Sequence, residues 1–128
     1  MNRYRYAIAT ALLCMTFSAS LPAAEIVKEF TGTRTGHTGV FEVKAPWLLD
    51  WRVVSDFPEA LALDVSLVDA ETGAYEGAVL KTRYVNNGVR LFRKSGRFQF
   101  KVDALMARWT LRVEELTEEE AAQYTPVR

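Results

Sequence analysis

Between Glu25 and Glu115 the side chains alternate, apolar then polar, over most of the chain. Phe41 and Val43 are interleaved with Glu42 and Lys44, and Trp47, Leu49, Trp51 and Val53 with Asp50 and Arg52. Leu61, Leu63, Val65 and Leu67 repeat the pattern, as do Phe98, Phe100 and Val102, and then Trp109, Leu111 and Val113. A period of two places alternate side chains on opposite faces of a β-strand, so each run buries one face. Turn-forming residues separate the runs: Thr31 to Gly39, Pro46, Ser55 to Glu59, Asp69 to Gly73, Asn86-Asn87-Gly88 and Ser95-Gly96. The expected strands are 25–30, 40–45, 47–53, 61–67, 75–85, 89–94, 97–103 and 108–115. That spacing predicts an all-β domain, a single antiparallel β-sandwich of jelly-roll or Ig-like type, spanning 25–116. Trp47, Trp51 and Trp109 fall on inward faces and are expected in its core. Thr117 followed by Glu120 fits a capping box, so residues 117–128 form either a short helix or an acidic tail.

The first 24 residues follow other rules. Arg3 and Arg5 precede an uncharged, mostly apolar run from Ala7 to Phe17, and small residues around Ser18-Ala19-Ser20 and Ala23-Ala24 follow. This is the layout of a secretory signal peptide, with cleavage expected after Ala24 or Ser20. The run is shorter than the roughly 20 residues a membrane helix needs, so no membrane span is expected in the mature chain. The expected localisation is periplasmic or secreted. Cys14 is the only cysteine, lies inside the signal, and lacks the small preceding residue of a lipidated signal. The mature domain then has no thiol and no disulfide. It is slightly acidic, because the signal takes two of the 16 basic residues and none of the 16 acids. That balance argues against binding nucleic acid.

Few catalytic arrangements are open to such a chain. His37 is the only histidine and sits in the Gly/Thr-rich loop, away from any nucleophile-elbow motif around Ser55, Ser66 or Ser95. It is expected as an exposed loop residue. One histidine without cysteine does not make a zinc site, and Asp69 and Glu71 alone are too sparse for calcium. Gly32, Gly36 and Gly39 do not have the spacing of a phosphate-binding loop. No cofactor or metal is expected, and no catalytic residue is assigned. A pair of carboxylates distant in sequence, as in glycoside hydrolases, would escape this reading.

The distinctive chemical feature is charge. From Gly77 to Val102 the chain carries Lys81, Arg83, Arg90, Arg93, Lys94, Arg97 and Lys101 and no acid. If Asn87-Gly88 and Ser95-Gly96 each close a two-residue hairpin, Tyr84 faces Leu91, Val85 faces Arg90, Lys94 faces Arg97, and Arg90 faces Lys101. Lys81, Arg83, Arg90, Lys94, Arg97 and Lys101 then surround Phe92 on one outer face, with Arg93 on the other side. Like charges opposite each other repel, so this face needs an offset. One offset is an anionic partner: an acidic polysaccharide, a lipid headgroup or an acidic envelope protein. The other is internal, by solvent screening and by Glu114, Glu115 and Glu118 to Glu120.

The segments Phe30-x-Gly32 and Thr38-x-x-Phe41-x-Val43-x-x-Pro46-Trp47-x-Leu49-x-Trp51, with the closing Trp109-Thr110-Leu111-x-Val113, resemble small exported bacterial β-sandwich domains. The resemblance covers most of the mature chain. It implies the sandwich fold and no particular activity, so no site residue carries over, and the basic strands lie outside its pattern. The functional expectation is an exported soluble binding module that recognises an anionic ligand through the basic face. Two alternatives are an accessory subunit docking to an envelope complex by a sheet edge, and a hydrolase with unidentified carboxylates.

Overall fold

The computed structural model describes residues 25–124. The expected signal segment and the last four residues lie outside the described residues. Among the described residues nine strands form two packed sheets: β1 Glu25–Gly32, β2 Gly36–His37, β3 Phe41–Val43, β4 Trp47–Val54, β5 Ala62–Asp69, β6 Tyr75–Thr82, β7 Asn86–Phe92, β8 Gly96–Leu105 and β9 Arg108–Glu115. One sheet runs β1-β9-β4-β7 and the other β2-β8-β5-β6, with β3 also on β8. Every pairing is antiparallel. The all-β sandwich expected from the alternation is therefore the fold. The extra strand is β2, a two-residue piece of the Gly/Thr-rich loop that pairs with Val102 and Lys101 of β8.

The inner faces make one core, in which Trp47, Leu49, Leu63, Phe98, Phe100, Leu111 and Val113 are almost fully enclosed. Phe41 stacks on Phe100 with centroids 4.9 Å apart and meets Trp47 edge-on at 5.8 Å. Trp47 and Trp109 are core residues, as their register predicts; Trp51 is half-buried and packs against the core from β4. Removing such side chains from water stabilises the fold by about 1.5–3 kcal/mol each.

The chain between 75 and 102 departs from the hairpin reading. β6 pairs with β5, β7 with β4, and β8 with β5 and the β2–β3 edge, so neither β6 and β7 nor β7 and β8 are neighbours. The short connections 83–85 and 93–95 carry the chain from one sheet to the other. Gly88 lies inside β7 because the Trp51 indole covers it; a Cβ there would come within 2.9 Å of the ring. The glycine that reads as a turn signal is a place for close ring approach. The faces change accordingly. Arg90 and Phe92 point inward, opposite Leu49 and Trp47, and Phe92 stacks on Trp47 at 4.1 Å. Leu91, expected inside, lies on the outer face opposite Leu48, in a second small cluster with Leu116 and Ala121. Tyr84, also expected inside, is 76% exposed.

That second cluster is roofed by α1, Glu118–Ala122, which begins with the capping box expected from Thr117 and Glu120: each side chain bonds the other's backbone N–H. The two ends of the sandwich can now be distinguished. One gathers Glu25, the Ala45-Pro46 cis peptide, the 70–74 turn, residues 93–95 and α1. The other gathers the connections 33–35, 55–61, 83–85 and 106–107.

Candidate anion-binding end of the sandwich

The seven cations do not share a face. Arg83 pairs with Asp64 at 3.1 Å, Lys94 with Glu76 at 2.9 Å, Arg97 with Glu71 at 3.6 Å and Arg93 with Glu118 at 3.2 Å. Arg90 stays behind the edge of the core. Its Nη1 donates to the carbonyl oxygens of Ala78 (2.6 Å) and Val79 (2.8 Å), and its guanidinium lies 5.4 Å from the Phe92 ring centre. It thereby ties β7 to β6 and occupies the free edge of β6. The side chains of Lys81 and Lys101 alone of the seven make no ion pair or hydrogen bond among the described residues. They sit on the outer face of the second sheet, opposite Asp64 and Ser66 respectively. The internal offset thus comes from Glu118, expected in that role, and from Asp64, Glu71 and Glu76, which were not expected in it.

The pairings at the crowded end are visible in the titrating groups. Lys94 is held above its usual value chiefly by its hydrogen bond to Glu76. Asp69 is held below the usual carboxylate value by the backbone N–H groups of Thr72 and Glu71, which its Oδ1 accepts at 3.0 and 2.8 Å. A cleft of about 480 Å³ there is lined by both signs of charge, with Glu42 and Glu115 facing Lys44 and Arg97. Glu115 Oε1 already accepts the Lys44 N–H.

The opposite end has a different chemistry. A cleft of about 350 Å³ is lined by Gly32, Thr33, Arg34, Thr35, Gly36, His37 and Trp109. A second, of about 320 Å³, lies on the other side of Gly32 and Trp109 and adds Thr31, Arg52, Val54, Arg108 and Thr110. No carboxylate lines either cleft. Their polar groups are three arginines, one histidine and a set of threonine hydroxyls. Arg34 and Arg52 have no ion pair among the described residues; Arg108 holds Asp56 at 3.0 Å through an exposed contact of the kind worth little net energy. The loop is pinned on both sides. Thr35 Oγ1 accepts the Ala104 N–H at 2.9 Å, and Thr38 Oγ1 accepts the Phe100 N–H at 3.0 Å.

Trp109 is the wall between the two clefts. It is 8% exposed, and its indole N–H is buried with no hydrogen-bond partner. Gly32 lies directly across from it on β1, and the indole covers that glycine so closely that a Cβ would fall 2.5 Å from the ring. The ring atoms against Gly32 are Cζ2, Cη2 and Cε2, the last of them bonded to the indole nitrogen. Buried polar groups are paired in the great majority of cases, and one left alone calls for an explanation such as a ligand or water. His37 is exposed, as expected, and forms part of this cleft. The sequence signal was present: Phe30 to Phe41 contains four threonines, Arg34, His37 and no acid. Glycine spacing, which fits no phosphate loop, concealed it.

A third polar site lies on the outer face of the first sheet, where Glu29, Arg112 and Asp50 form one row across β1, β9 and β4. Arg112 reaches Glu29 at 3.8 Å and Glu114 at 3.9 Å, and its Nε is buried without a partner. Burial, with Asp50 nearby, pushes the Glu114 carboxyl above its usual value. Arg112 stands between Glu29 and Asp50, and a cleft of about 170 Å³ there is lined by both carboxylates together with Arg52, Thr110 and Arg112.

A scan against protein-family models finds no match to the chain, and a search of curated proteins finds no significant relative. Among the described residues no helix is long and apolar enough to cross a membrane. The fold and the two clefts define a β-sandwich with two acid-free, arginine-lined clefts at one end.

Proposed function

We propose that the protein is an exported binding module that holds an anionic ligand at the Trp109 end of the sandwich. The observation that carries this reading is the acid-free pair of clefts around a buried, unpartnered indole N–H. Arg34, Arg52 and Arg108 supply forked donors suited to carboxylate, sulfate or phosphate oxygens. Thr33 and Thr110 add hydroxyls, while the Thr35 hydroxyl is committed to Ala104 and the Trp109 N–H stays enclosed behind the cleft walls. The ligand class is an acidic oligosaccharide or another soluble polyanion, or the headgroup of an anionic lipid. Lys81 and Lys101 form a weaker secondary surface, and Arg90 serves the fold.

Retention on immobilised heparin across a salt gradient tests the assignment. The Arg34→Ala/Arg108→Ala double variant is expected to elute at clearly lower salt than wild type. The Lys81→Ala/Lys101→Ala variant is expected to shift little. The reverse order would move the site to the sheet face, and elution of the wild type in the void would remove the anion-binding reading altogether.

A further inference from the structure

We propose that the anion recognised at this end is presented by a lipid surface, and that the loop tips around the clefts enter it. The proposal rests on the anion-binding reading above and adds an apolar component to it. Val54, Phe57, Tyr84, Val85, Leu105 and Met106 are all exposed, Phe57 at 60% and Tyr84 at 76%. They come from three separate connections and the strand ends that lead into them, yet the register brings them to one end. Val53 pairs with Asn86 and Trp109, so Val54 and Val85 follow side by side on neighbouring strands. Leu105 pairs with Ala62, where the 55–61 connection enters the second sheet. Arg108, next but one to Met106, bonds Asp56, next to Phe57.

Side chains of this kind are poor partners for water and for sugar hydroxyls, and exposed apolar groups gathered at one place mark an interaction surface. Their order relative to the charges selects the partner. Arg52 lies within β4 behind the tips, Arg108 pairs with Val54 at the strand ends behind Phe57 and Met106, and Arg34 lies in the adjoining cleft. Apolar and aromatic tips ahead of a tier of cations match the acyl boundary and the phosphate level of a membrane interface. Glu59 is the one acid in these connections without an ion pair among the described residues, Asp56 being held by Arg108. The described chain itself offers no cover: Glu25 and α1 both lie at the far end, beside Glu115.

Co-sedimentation with phosphatidylglycerol vesicles and with phosphatidylcholine vesicles tests this. Wild type is expected to pellet with the anionic vesicles and to remain in solution with the zwitterionic ones. The combined Phe57→Ser, Tyr84→Ser and Leu105→Ser variant alters exposed positions only, and its melting temperature checks that it is folded. Its partitioning onto anionic vesicles is expected to drop by about tenfold or more, the scale of lost apolar insertion, while its heparin elution stays that of wild type. Equal pelleting of variant and wild type would overturn the proposal. So would a wild type that heparin retains but anionic vesicles do not pellet; the anion site would then stand, with a soluble polyanion or an acidic protein as its ligand. Failure to bind either probe would take down both readings.

Discussion

Trp47 and Trp109 stand near opposite ends of the same core, and their indole N–H groups have opposite fates. The Trp47 N–H donates to the Lys94 carbonyl at 2.9 Å, and the ring is stacked on Phe92 in a fully enclosed site. The Trp109 N–H has no partner. The surroundings differ in the same sense. Around Trp47, Ala45 N–H bonds Ser95 Oγ, Leu116 N–H bonds the Pro46 carbonyl, and α1 closes the outer face. Around Trp109 lie two open clefts, arginines and exposed apolar tips. One end is finished by the chain itself, and the other leaves donors and apolar surface unused. Stability and ligand binding are therefore expected to separate along the length of the molecule.

The largest effect is expected from Trp47→Ala, which empties an enclosed site and should cost about 3–5 kcal/mol in chemical denaturation. Gly32→Ala comes next. Its methyl must displace the Trp109 indole, for a cost of about 1–3 kcal/mol from overpacking. The same variant should weaken heparin retention, which Trp47 variants that still fold should not do. The phenylalanine pair sharpens the contrast. Trp47→Phe strands the Lys94 carbonyl, whereas Trp109→Phe deletes a donor that had no partner, so the first should be more costly by about 1 kcal/mol.

The smallest effect concerns the outer face of the first sheet. Glu114 carries a raised folded-state value because burial and Asp50 penalise its ionised form. The folded state therefore holds the proton more tightly than the unfolded chain does. The penalty is absent below the unfolded carboxylate range and grows as pH rises through the folded value. Glu114→Gln should raise stability near pH 7 by about 0.5 kcal/mol, the size of partly exposed charge effects. The gain should vanish near pH 4 in paired melts. Asp69, held low by backbone N–H groups, works in the opposite direction and loses its contribution as pH falls.

The strands were legible because alternation records which side chains share a face along one strand. Trp47, Phe98, Phe100 and Leu111 are inside for that reason. Alternation does not say which sheet a strand joins. Val89 to Phe92 can present either Val89 and Leu91 or Arg90 and Phe92 to the core. The choice was made by partners distant in sequence: Trp47 for Phe92, the β6 carbonyls for Arg90, and the α1 cluster for Leu91. Gly88 was equally ambiguous, since a glycine serves a turn and a covering tryptophan alike. The Trp109 end was half legible, in its acid-free, threonine-rich loop. Its remaining residues, Arg52 and Arg108, arrive from other strands, and an orphaned indole N–H has no sequence signature.

The most direct test of the division between the two ends is a titration of the ¹⁵N-labelled protein with a soluble sulfated oligosaccharide, following the three indole N–H resonances. The account predicts that the Trp109 resonance moves and that the Trp47 resonance, already bonded to the Lys94 carbonyl, stays in place. A Trp109 resonance that holds still at saturating ligand, or that moves no more than that of Trp47, would contradict it.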